Sequence, residues 1–516
     1  MKIPNSSQSL WLTSDKGQTF SPLKADVSAD VAVIGAGITG LTAAFLLKQA
    51  GKTVVVLEAG RVGHGVSGHT TAHLTEVLDC SYETLIKDFG EDDARLAAAS
   101  GRTALSRIEA IVRESEIDCD FERLPAFQYT EDFDRIGELE EERKAAARIG
   151  VKASLTEHTP LPFKTAGGLR FDAQAQFHAG KYLDALTDAL RGGGSHIYEE
   201  TRVSEIEDGT PCRVVTPKGT VTARDVIVAT HGPFDDVVLQ TKVANYQSYV
   251  LALKLKDGED PPVGLFWDLE DPYHYIRAHT TDKGPLLLVG GEDHKTGQND
   301  ETLGRFEALL EFASRRFKVA SVAYRWSSQV VEPVDGLPFI GKKASSEHVY
   351  VGTGYSGTGL TLGTLAAMVN TDLILGRANP YQELYNPSRF KPVASLGDFV
   401  KENKDFPIHL ITGHLQGSDV NSVGEVGRGE GKVLSLGGEK TAVFRDEHGL
   451  LHAVSAVCTH LGCIVAFNGA EKTWDCPCHG SRFDTAGKVL SGPAIKPLPS
   501  RKDEAIIRDS TPATGA

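Results

Sequence analysis

The chain has no long hydrophobic segment. Its longest apolar stretch without a charged side chain runs from Val31 to Leu47, which is rich in glycine and short for a membrane span. The N-terminal residues MKIPNSSQSLWLTSDKGQ contain neither an apolar core nor a cleavage site. We therefore expect no secretory signal and no transmembrane segment.

Positive charge and cysteine are also scarce. The 54 lysines and arginines are outnumbered by 69 acidic residues, and the net charge of −15 argues against binding to nucleic acid or anionic membranes. Seven cysteines are few for a secreted protein, so we expect a cytoplasmic location. Hydrophobic residues still make up 41% of the 516 residues, which is typical of a globular protein with two or three domains.

Four of the cysteines lie in one segment near the C-terminus, Cys458–Ser481. This segment contains the pairs Cys458-x-His460 and Cys476-x-x-His479, separated by fifteen residues. Two cysteines and two histidines in this order fit a Rieske [2Fe–2S] centre, in which thiolates bind one iron and imidazoles bind the other. Zinc is the alternative, although zinc fingers place both cysteines before both histidines.

A nucleotide-binding pattern lies near the N-terminus. The apolar strand Val31–Ile34 is followed by the glycine motif GAGITG, a helix, and a second strand that ends in Glu58. The glycines allow a tight turn, close approach of the backbone to a pyrophosphate, and packing of the helix on the strand. Glu58 can accept hydrogen bonds from ribose hydroxyls. The sequence therefore predicts a β-α-β dinucleotide site.

The next segment, EAGRVGHGVSGHTTAHLT, is a second Gly/Ser/Thr-rich loop, which a simple NAD fold does not need. Here the chain resembles the D-amino-acid oxidase and glycine oxidase superfamily of flavoproteins, in which this loop runs under the FAD diphosphate. The segments Val226–Gly232 and Asp335–Gly341 match the same family, as does GTGYSGTG before a C-terminal helix. The last of these is a formal GxGxxG motif, but no second strand ending in an acid follows it.

The resemblance implies FAD as the cofactor. It implies as FAD-binding residues Gly35, Gly37, Ile38, Thr39, Gly40, Glu58, Arg61, Gly65, Ser67, Gly68, Thr70, Thr71, Val203, Thr230, Gly232, Gly354, Tyr355, Ser356, Gly357, Thr358 and Gly359. Some relatives attach FAD covalently through a histidine near His69 and His73. A hydrogen bond to the flavin, or an ordinary surface imidazole, is the alternative for both.

The implied fold is an α/β FAD-binding Rossmann-like domain with a mixed-sheet substrate domain, followed by an all-β Rieske domain. The expected boundaries are an N-terminal extension 1–25, an oxidoreductase domain 26–380, a linker 381–406, a Rieske domain 407–508 and a tail 509–516. Within the oxidoreductase domain, the FAD part covers about 26–80, 170–240 and 325–380, and the substrate sheet about 81–169 and 241–324.

The strand YHYIR supplies the candidate catalytic residues Tyr273, His274, Tyr275 and Arg277, each of which has an ordinary strand position as its alternative. Amino-acid-oxidising relatives carry an arginine four residues after a tryptophan in the segment that begins at Trp326, and this chain has Val330 there. The carboxylate anchor is therefore missing unless Arg325 or Arg277 replaces it, which argues against an α-amino acid substrate.

The motif CTHLGC…CPCHGS resembles the Rieske proteins of respiratory cytochrome bc complexes. That resemblance implies a disulfide between Cys463 and Cys478 beside the cluster ligands. Ser481 is kept where the family hydrogen-bonds a cluster sulfur, but Phe483 replaces the family's tyrosine.

Together the two resemblances predict an FAD-dependent dehydrogenase acting on a small amine or amino-acid-like substrate. Hydride transfer to flavin N5 would be followed by single-electron transfer through the cluster to an external acceptor, either a protein or a quinone. One alternative is a reductase that uses NAD(P)H and passes electrons to a partner oxygenase or another redox protein. Another is a redox-sensing binding module.

Overall fold

The computed structural model describes residues 1–4, 6–13, 18–299, 301–389, 414, 417–420 and 422–501. The predicted tail 509–516 and most of the predicted linker lie outside these residues. The chain divides into two compact units. The first contains Met1–His231, Ser248–Asp293 and Phe306–Leu396, and the second contains Gly232–Gln247, His294–Arg305 and Gly397–Ala516.

The first sheet has the parallel core of a dinucleotide-binding fold. Its central strands are continuous apolar runs, such as VVVL at Val54–Leu57, because both faces of the sheet are buried. In spatial order the strands are Phe339–Lys342, Val349–Thr353, Gly219–Val228, Val27–Ile34, Val54–Leu57 and His196–Tyr198, with the added strands Glu205–Glu207 and Cys212–Thr216. The predicted β-α-β unit is confirmed at the centre of this sheet.

The second sheet is mixed. Strand Leu265–Asp268 pairs in parallel with Glu122–Thr130, whereas it pairs antiparallel with His274–Thr281. In spatial order the strands are Val319–Pro333, Val243–Leu255, Gly284–Lys295, His274–Thr281, Leu265–Asp268, Glu122–Thr130, Gly167–Gln176 and His73–Leu74, with Ala153–Thr156 beside Gly167–Gln176. The expected mixed sheet is thus confirmed.

Helices cover the sheets of the first unit. The helix after the glycine motif, Ile38–Gln49, packs against Gly359–Ile374, and both are almost entirely buried. The α-helices of the described residues are Ile38–Gln49, Tyr82–Phe89, Glu91–Glu114, Ile136–Arg148, Ala179–Ala189, Val237–Gln240, Thr302–Arg316 and Gly359–Ile374; the 3₁₀ helices are Leu10–Leu12, Val66–His69, Phe133–Arg135, Ser356–Thr358 and Val423–Glu425. Within these ranges, none of the helices combines the length and hydropathy needed to span a bilayer.

The second unit contains the predicted all-β domain. Its strands form a three-stranded antiparallel sheet and a four-stranded antiparallel sheet, which share a core around Trp474 and Phe483. The strands are Gly431–Leu436, Glu439–Arg445 and Leu451–Ser455 in the first, and Ala466–Asn468, Thr473–Asp475, Arg482–Asp484 and Val489–Ser491 in the second. Two short segments from the predicted oxidoreductase domain, 232–247 and 294–305, belong to this unit rather than to the first.

Part of the predicted N-terminal extension is buried in the protein. Leu10 and Trp11 form a 3₁₀ turn that begins at the capping residue Ser9, and Trp11 is 1% exposed. The Trp11 ring packs edge-on against His178 and His279. The polar composition of residues 1–25 concealed this buried tryptophan.

We expect Trp11→Ala to lower the free energy of unfolding of the first unit by about 3–5 kcal/mol, because it removes a fully buried indole. Urea unfolding followed by circular dichroism measures this. Phe133→Ala is the control, since Phe133 is 61% exposed and its loss should cost about 0.5 kcal/mol or less. Equal effects of the two changes would contradict the buried position of Trp11.

Candidate active site and cluster-binding loops

The glycine motif forms the expected strand-to-helix turn. Gly35 has a φ of +101°, and a Cβ atom there would lie 2.4 Å from the carbonyl oxygen of Ala229. A Cβ atom at Gly40 would lie 1.9 Å from the carbonyl oxygen of Gly35. Side chains cannot occupy either position, so the first turn of helix Ile38–Gln49 approaches the end of the strand closely. This geometry leaves a helix N-terminus available for a pyrophosphate.

Glu58 braces the same turn. Its carboxylate accepts hydrogen bonds from the N–H groups of Ala36 (2.9 Å) and Gly60 (2.8 Å). Burial raises the pKa of Glu58, while these two N–H groups lower it. Because each carboxylate oxygen can accept more than one hydrogen bond, Glu58 can hold the turn and still accept from a ribose.

The Gly/Ser/Thr-rich loop lies against this helix N-terminus. Ser67, at the start of the 3₁₀ turn Val66–His69, accepts a hydrogen bond from the N–H of Ile38 at 2.9 Å. A Cβ atom at Gly37 would meet the Ser67 hydroxyl at 2.9 Å. The structure thus brings together the two predicted halves of the FAD cradle. Their chemistry fits a dinucleotide, and the individual FAD contacts stay predictions.

Three buried side chains donate hydrogen bonds to the backbone carbonyls of the Gly/Ser/Thr-rich loop. Trp326 donates its indole N–H to the carbonyl of His69 at 2.8 Å, and Trp11 donates to that of Thr70 at 2.5 Å. Arg277 donates to the carbonyls of Thr71 (3.0 Å) and Ala72 (2.7 Å). We call residues 69–72 and these partners the cradle anchor. Four successive carbonyls therefore have partners in the protein interior.

The two histidines considered for FAD attachment, His69 and His73, have protein partners. The ring of His73 is bonded at Nδ1 to the Thr71 hydroxyl (3.0 Å) and at Nε2 to the carbonyl of Ile276 (3.4 Å). Burial, and secondarily Arg277, lowers the pKa of His73 to about 3, so it is neutral. His69 contacts the carbonyl of Gly65 through Nδ1. These contacts support hydrogen-bonding roles rather than a covalent link to FAD.

The predicted residues Gly354–Gly359 contain the 3₁₀ turn Ser356–Thr358 and lead into helix Gly359–Ile374. The Tyr355 hydroxyl accepts a hydrogen bond from Thr39 at 3.3 Å, which ties this turn to the glycine-motif helix. The N–H of Gly357 donates to the carboxylate of Asp79. Of the other predicted FAD residues, Val203 is buried, Thr230 follows strand Gly219–Val228, and Gly232 falls in the second unit.

The four candidate catalytic residues point in two directions because side chains alternate along a strand. The ring of Tyr275 packs edge-on against His73, 5.8 Å away, and lies 5.7 Å from that of Tyr273. His274 bonds to Asp268 at 2.8 Å instead, stacks on Phe312, and lies on the opposite face. Arg277 serves the cradle anchor. The two tyrosines therefore stay candidates for the pocket wall, while His274 and Arg277 have structural partners.

The two arginines considered as substitutes for a carboxylate anchor are both buried. Arg277 is 0% exposed and its guanidinium donates to backbone carbonyls. Arg325 is 4% exposed and lies over the ring of Phe306, 4.7 Å from its centroid. Neither arginine therefore replaces the carboxylate-binding arginine that is absent at position 330, where this chain has Val330. His294 lies in the second unit, near Asp475.

The two cluster loops meet in the second unit. The rings of His460 and His479 are 4.9 Å apart and perpendicular, and the thiol of Cys476 hydrogen-bonds that of Cys458. Burial lowers the pKa of both imidazoles, that of His479 to about 4, so each is in the neutral form that binds metal. Among the described residues, the buried Nδ1 of His460 has no hydrogen-bond partner. Two thiols and two neutral imidazoles fit a Rieske cluster.

The predicted disulfide between Cys463 and Cys478 is confirmed. It links the two loops, and the thiols of Cys458 and Cys476 remain free for iron. Ser481, expected beside the cluster, hydrogen-bonds the Cys458 thiol, and its hydroxyl accepts from the N–H of Ala494.

Residues outside the predicted Rieske domain hold its second cluster loop. Asn245 donates its amide to the carbonyl of His479 at 3.0 Å, and Gln298 donates to that of Pro477 at 3.1 Å. Gly297 has a φ of +74°, and a Cβ atom there would lie 2.7 Å from the backbone nitrogen of Pro477. This close approach explains why the segments 232–247 and 294–305 belong to the second unit.

Comparison with known families and proteins identifies two families in the chain. A family model described as FAD dependent oxidoreductase matches residues 30–373, and one described as Rieske [2Fe-2S] domain matches residues 418–502. The chain is 37% identical over 495 residues to YhfW of Bacillus subtilis, named as a Rieske 2Fe-2S iron-sulfur protein, covering 95% of this chain and 97% of that protein.

Other relatives match the first part alone. Gamma-glutamylputrescine oxidoreductase of Escherichia coli is 27% identical over 390 residues, covering 72% of this chain and 90% of that protein. The crystal structure of glycine oxidase from Geobacillus kaustophilus superposes with a TM-score of 0.61 at 19% identity, covering 70% of this chain and 99% of the other. The second likeness shows the shared fold.

We expect five free thiols in the unfolded, unreduced protein and seven after reduction, because one disulfide joins Cys463 to Cys478. Alkylation during unfolding with an iron chelator, followed by mass spectrometry, counts them. Cys463→Ser should release Cys478 as a sixth free thiol, so that all six remaining cysteines react before reduction. Seven free thiols in the unreduced wild type would exclude the disulfide.

We expect Phe483→Tyr to raise the midpoint potential of the cluster, because a new hydroxyl can donate to a cluster sulfur. Phe483 is fully buried in the core that contains Cys458 and Cys476. Redox titration followed by electron paramagnetic resonance measures the potential. Phe444→Tyr, in the same core, is the matched control and should not shift it. An unchanged potential in Phe483→Tyr would refute this role.

Proposed function

The chain belongs to the family of FAD-dependent oxidoreductases and ends in a Rieske [2Fe–2S] domain, and from this premise we propose that it is an amine dehydrogenase with a built-in single-electron outlet. When bound, FAD would supply an acceptor for a hydride and its two electrons from the carbon next to the substrate nitrogen, which turns the amine into an iminium ion. A cluster held by Cys458, His460, Cys476 and His479 would supply a one-electron outlet to an external acceptor. The acceptor is a protein that takes one electron at a time or a quinone. We also propose that the protein is cytoplasmic, as expected from its few cysteines.

One observation carries the proposal. The loop with Cys476 and His479 is bonded by Asn245 and Gln298, which lie within the match to the oxidoreductase family. The cluster-bearing domain is therefore assembled with residues of the oxidoreductase, which supports electron transfer between the two parts of one chain. An unrelated appended module would need no such shared contacts.

The first unit contains the residues that would hold FAD and orient the substrate for oxidation. The N-terminus of helix Ile38–Gln49 faces the place of a pyrophosphate, and the cradle anchor fixes the loop beside it. Tyr273 and Tyr275 form an aromatic wall near Gly357, since a Cβ atom on Gly357 would lie 3.3 Å from the Tyr273 hydroxyl. These residues would orient an amine and exclude water from it.

No observation of this kind supports the two alternative functions, a reductase that uses NAD(P)H and a redox-sensing module. A reductase that uses NAD(P)H needs a second β-α-β site, and the part of the chain that the structure describes contains one such unit with a terminal acid, at Val27–Glu58. A redox-sensing module would not need the aromatic wall.

Anaerobic mixing of the loaded protein with a panel of amines tests the proposal. We expect bleaching of the flavin absorbance followed by reduction of the cluster, and no bleaching with NADH. Rapid bleaching by NADH and none by amines would establish the reductase instead. Rapid consumption of oxygen with a cluster that stays oxidised would contradict the order of transfer.

We expect Gly297→Ala to slow reduction of the cluster by roughly tenfold or more while flavin bleaching by the amine keeps its rate. The new methyl group would displace the loop around Pro477, and small displacements have large effects on reactive geometry. Stopped-flow absorbance separates the two phases. Gly304→Ala is the control, because no atom lies within 4 Å of a Cβ atom there. Equal rates in both variants would remove the proposed role of this contact.

A further inference from the structure

An irregular strand brings an unexpected carboxylate to the two tyrosines. Strand Gly284–Lys295 pairs with His274–Thr281, and Gly290 leaves room for the Tyr275 ring, which would otherwise meet a Cβ atom at 2.2 Å. Gly291 and Glu292 then have positive φ values of 134° and 58°. This departure from extended backbone sends Glu292 to His274, 3.4 Å away, and turns Asp293 towards Tyr273 and Tyr275.

The carboxylate oxygens of Asp293 are buried and poorly supplied with donors. Among the described residues, none donates a well-formed hydrogen bond to either oxygen, and both oxygens are inaccessible to solvent. The Ser248 hydroxyl lowers the pKa of Asp293 by hydrogen bonding, although the same hydroxyl also bonds Tyr275, at 2.9 Å. Burial outweighs that effect and raises the pKa of Asp293 to about 7. A carboxylate left in this state is costly, which indicates a missing partner that donates hydrogen bonds.

Asp79 faces the same space. A Cβ atom on Gly357 would lie 2.9 Å from a carboxylate oxygen of Asp79 and 3.3 Å from the Tyr273 hydroxyl, so these two side chains come close to each other beside this glycine. Burial raises the pKa of Asp79 to about 6, and its charge raises the pKa of Asp293 in turn. We call Asp79, Tyr273, Tyr275 and Asp293 the acidic recess. Gly357, a predicted FAD residue, borders it.

The charges that act on Asp293 come from two carboxylates and one imidazole. The ionisable groups that act on Asp293 are Asp79, Glu292 and His274, and His274 is already bonded to Asp268 and Glu292. Arg277, further along the same strand face, is directed to the cradle anchor. Two carboxylates with aromatic walls match the way proteins bind organic ammonium groups.

Building on the proposed function, we propose that the acidic recess binds the second, cationic nitrogen of a diamine substrate that carries no carboxylate. Asp293 accepts hydrogen bonds from this ammonium group and Asp79 adds a second negative charge. The tyrosine rings surround its alkyl chain, while the other nitrogen of the substrate undergoes oxidation. A bound ammonium supplies the donors that Asp293 lacks, so binding removes the cost of a buried, unsatisfied carboxylate.

Binding of a redox-inert cation tests this without turnover. Calorimetric titration of the FAD-loaded protein with butylguanidinium, and with butyrate as the anion of the same chain length, gives the two affinities. We expect binding of the cation alone, weakened at least about tenfold by Asp293→Asn and also by Asp79→Asn. Asp172→Asn is the control and should change nothing, because the Asp172 side chain is 69% exposed. Tighter binding of butyrate, or full affinity in Asp293→Asn, would overturn the proposal.

The stability of Asp293→Asn separates a ligand site from a structural role. Because the hydrogen bonding of Asp293 within the protein is incomplete, its amide variant should melt at the same or a higher temperature than the wild type, even as cation binding weakens. If Asp293→Asn melts at a markedly lower temperature and Asp79→Asn binds the cation as tightly as the wild type does, the two carboxylates stabilise the fold and do not bind a ligand.

Turnover distinguishes failure of the recess from failure of the proposed function. We expect 1,4-diaminobutane to bleach the flavin faster than butylamine at equal concentration, and Asp293→Asn to remove that preference. Cation binding without bleaching by any amine would refute the proposed dehydrogenase and leave the recess standing. Equal rates of flavin bleaching by both amines, without binding of butylguanidinium, would refute the cation site and leave the proposed dehydrogenase standing.

Discussion

Four successive carbonyls, those of residues 69–72, determine the shape of the candidate active site. A buried peptide carbonyl without a donor is costly, and here each one has a partner: two indole N–H groups and one guanidinium. The partners come from the N-terminal segment and from two different strands of the mixed sheet. The cradle anchor therefore ties the FAD loop to the substrate sheet. Because Arg277 shares a strand with Tyr273 and Tyr275, the same contacts position the wall of the acidic recess.

Features that depend on local chemistry were predictable from the sequence. The turn at Gly35 needs a residue without a side chain, and the ligand pairs around Cys458 and Cys476 each lie on one short loop, so both leave a motif in the sequence. The mixed sheet and the disulfide followed from resemblance. Trp11 was missed because its partner, Thr70, lies 59 residues away and the surrounding sequence is polar. No local pattern records a contact of that kind.

Two further misses have the same physical origin. Strict alternation along Gly284–Lys295 would place Asp293 on the face of His274, and only the positive φ values of Gly291 and Glu292 move it to the tyrosines. A glycine followed by two acids gives little warning of such a bulge. The assignment of Asn245 and Gly297 to the second unit depends on tertiary contacts with the loop at Pro477. Sequence boundaries drawn from motifs alone cannot show a domain completed by distant segments.

The charge of the candidate pocket argues for a change of substrate within a retained fold. Relatives that oxidise amino acids use an arginine for the substrate carboxylate, and this chain has Val330 at that position while Arg277 and Arg325 are engaged elsewhere. Loss of an arginine alone would leave a neutral pocket. The bulge that delivers Asp293, together with Asp79, makes it negative instead, at the cost of burying the Asp293 carboxylate with incomplete hydrogen bonding. Stability given up at one place is commonly a mark of function, and here it falls on the residues best placed to distinguish an ammonium group from a carboxylate.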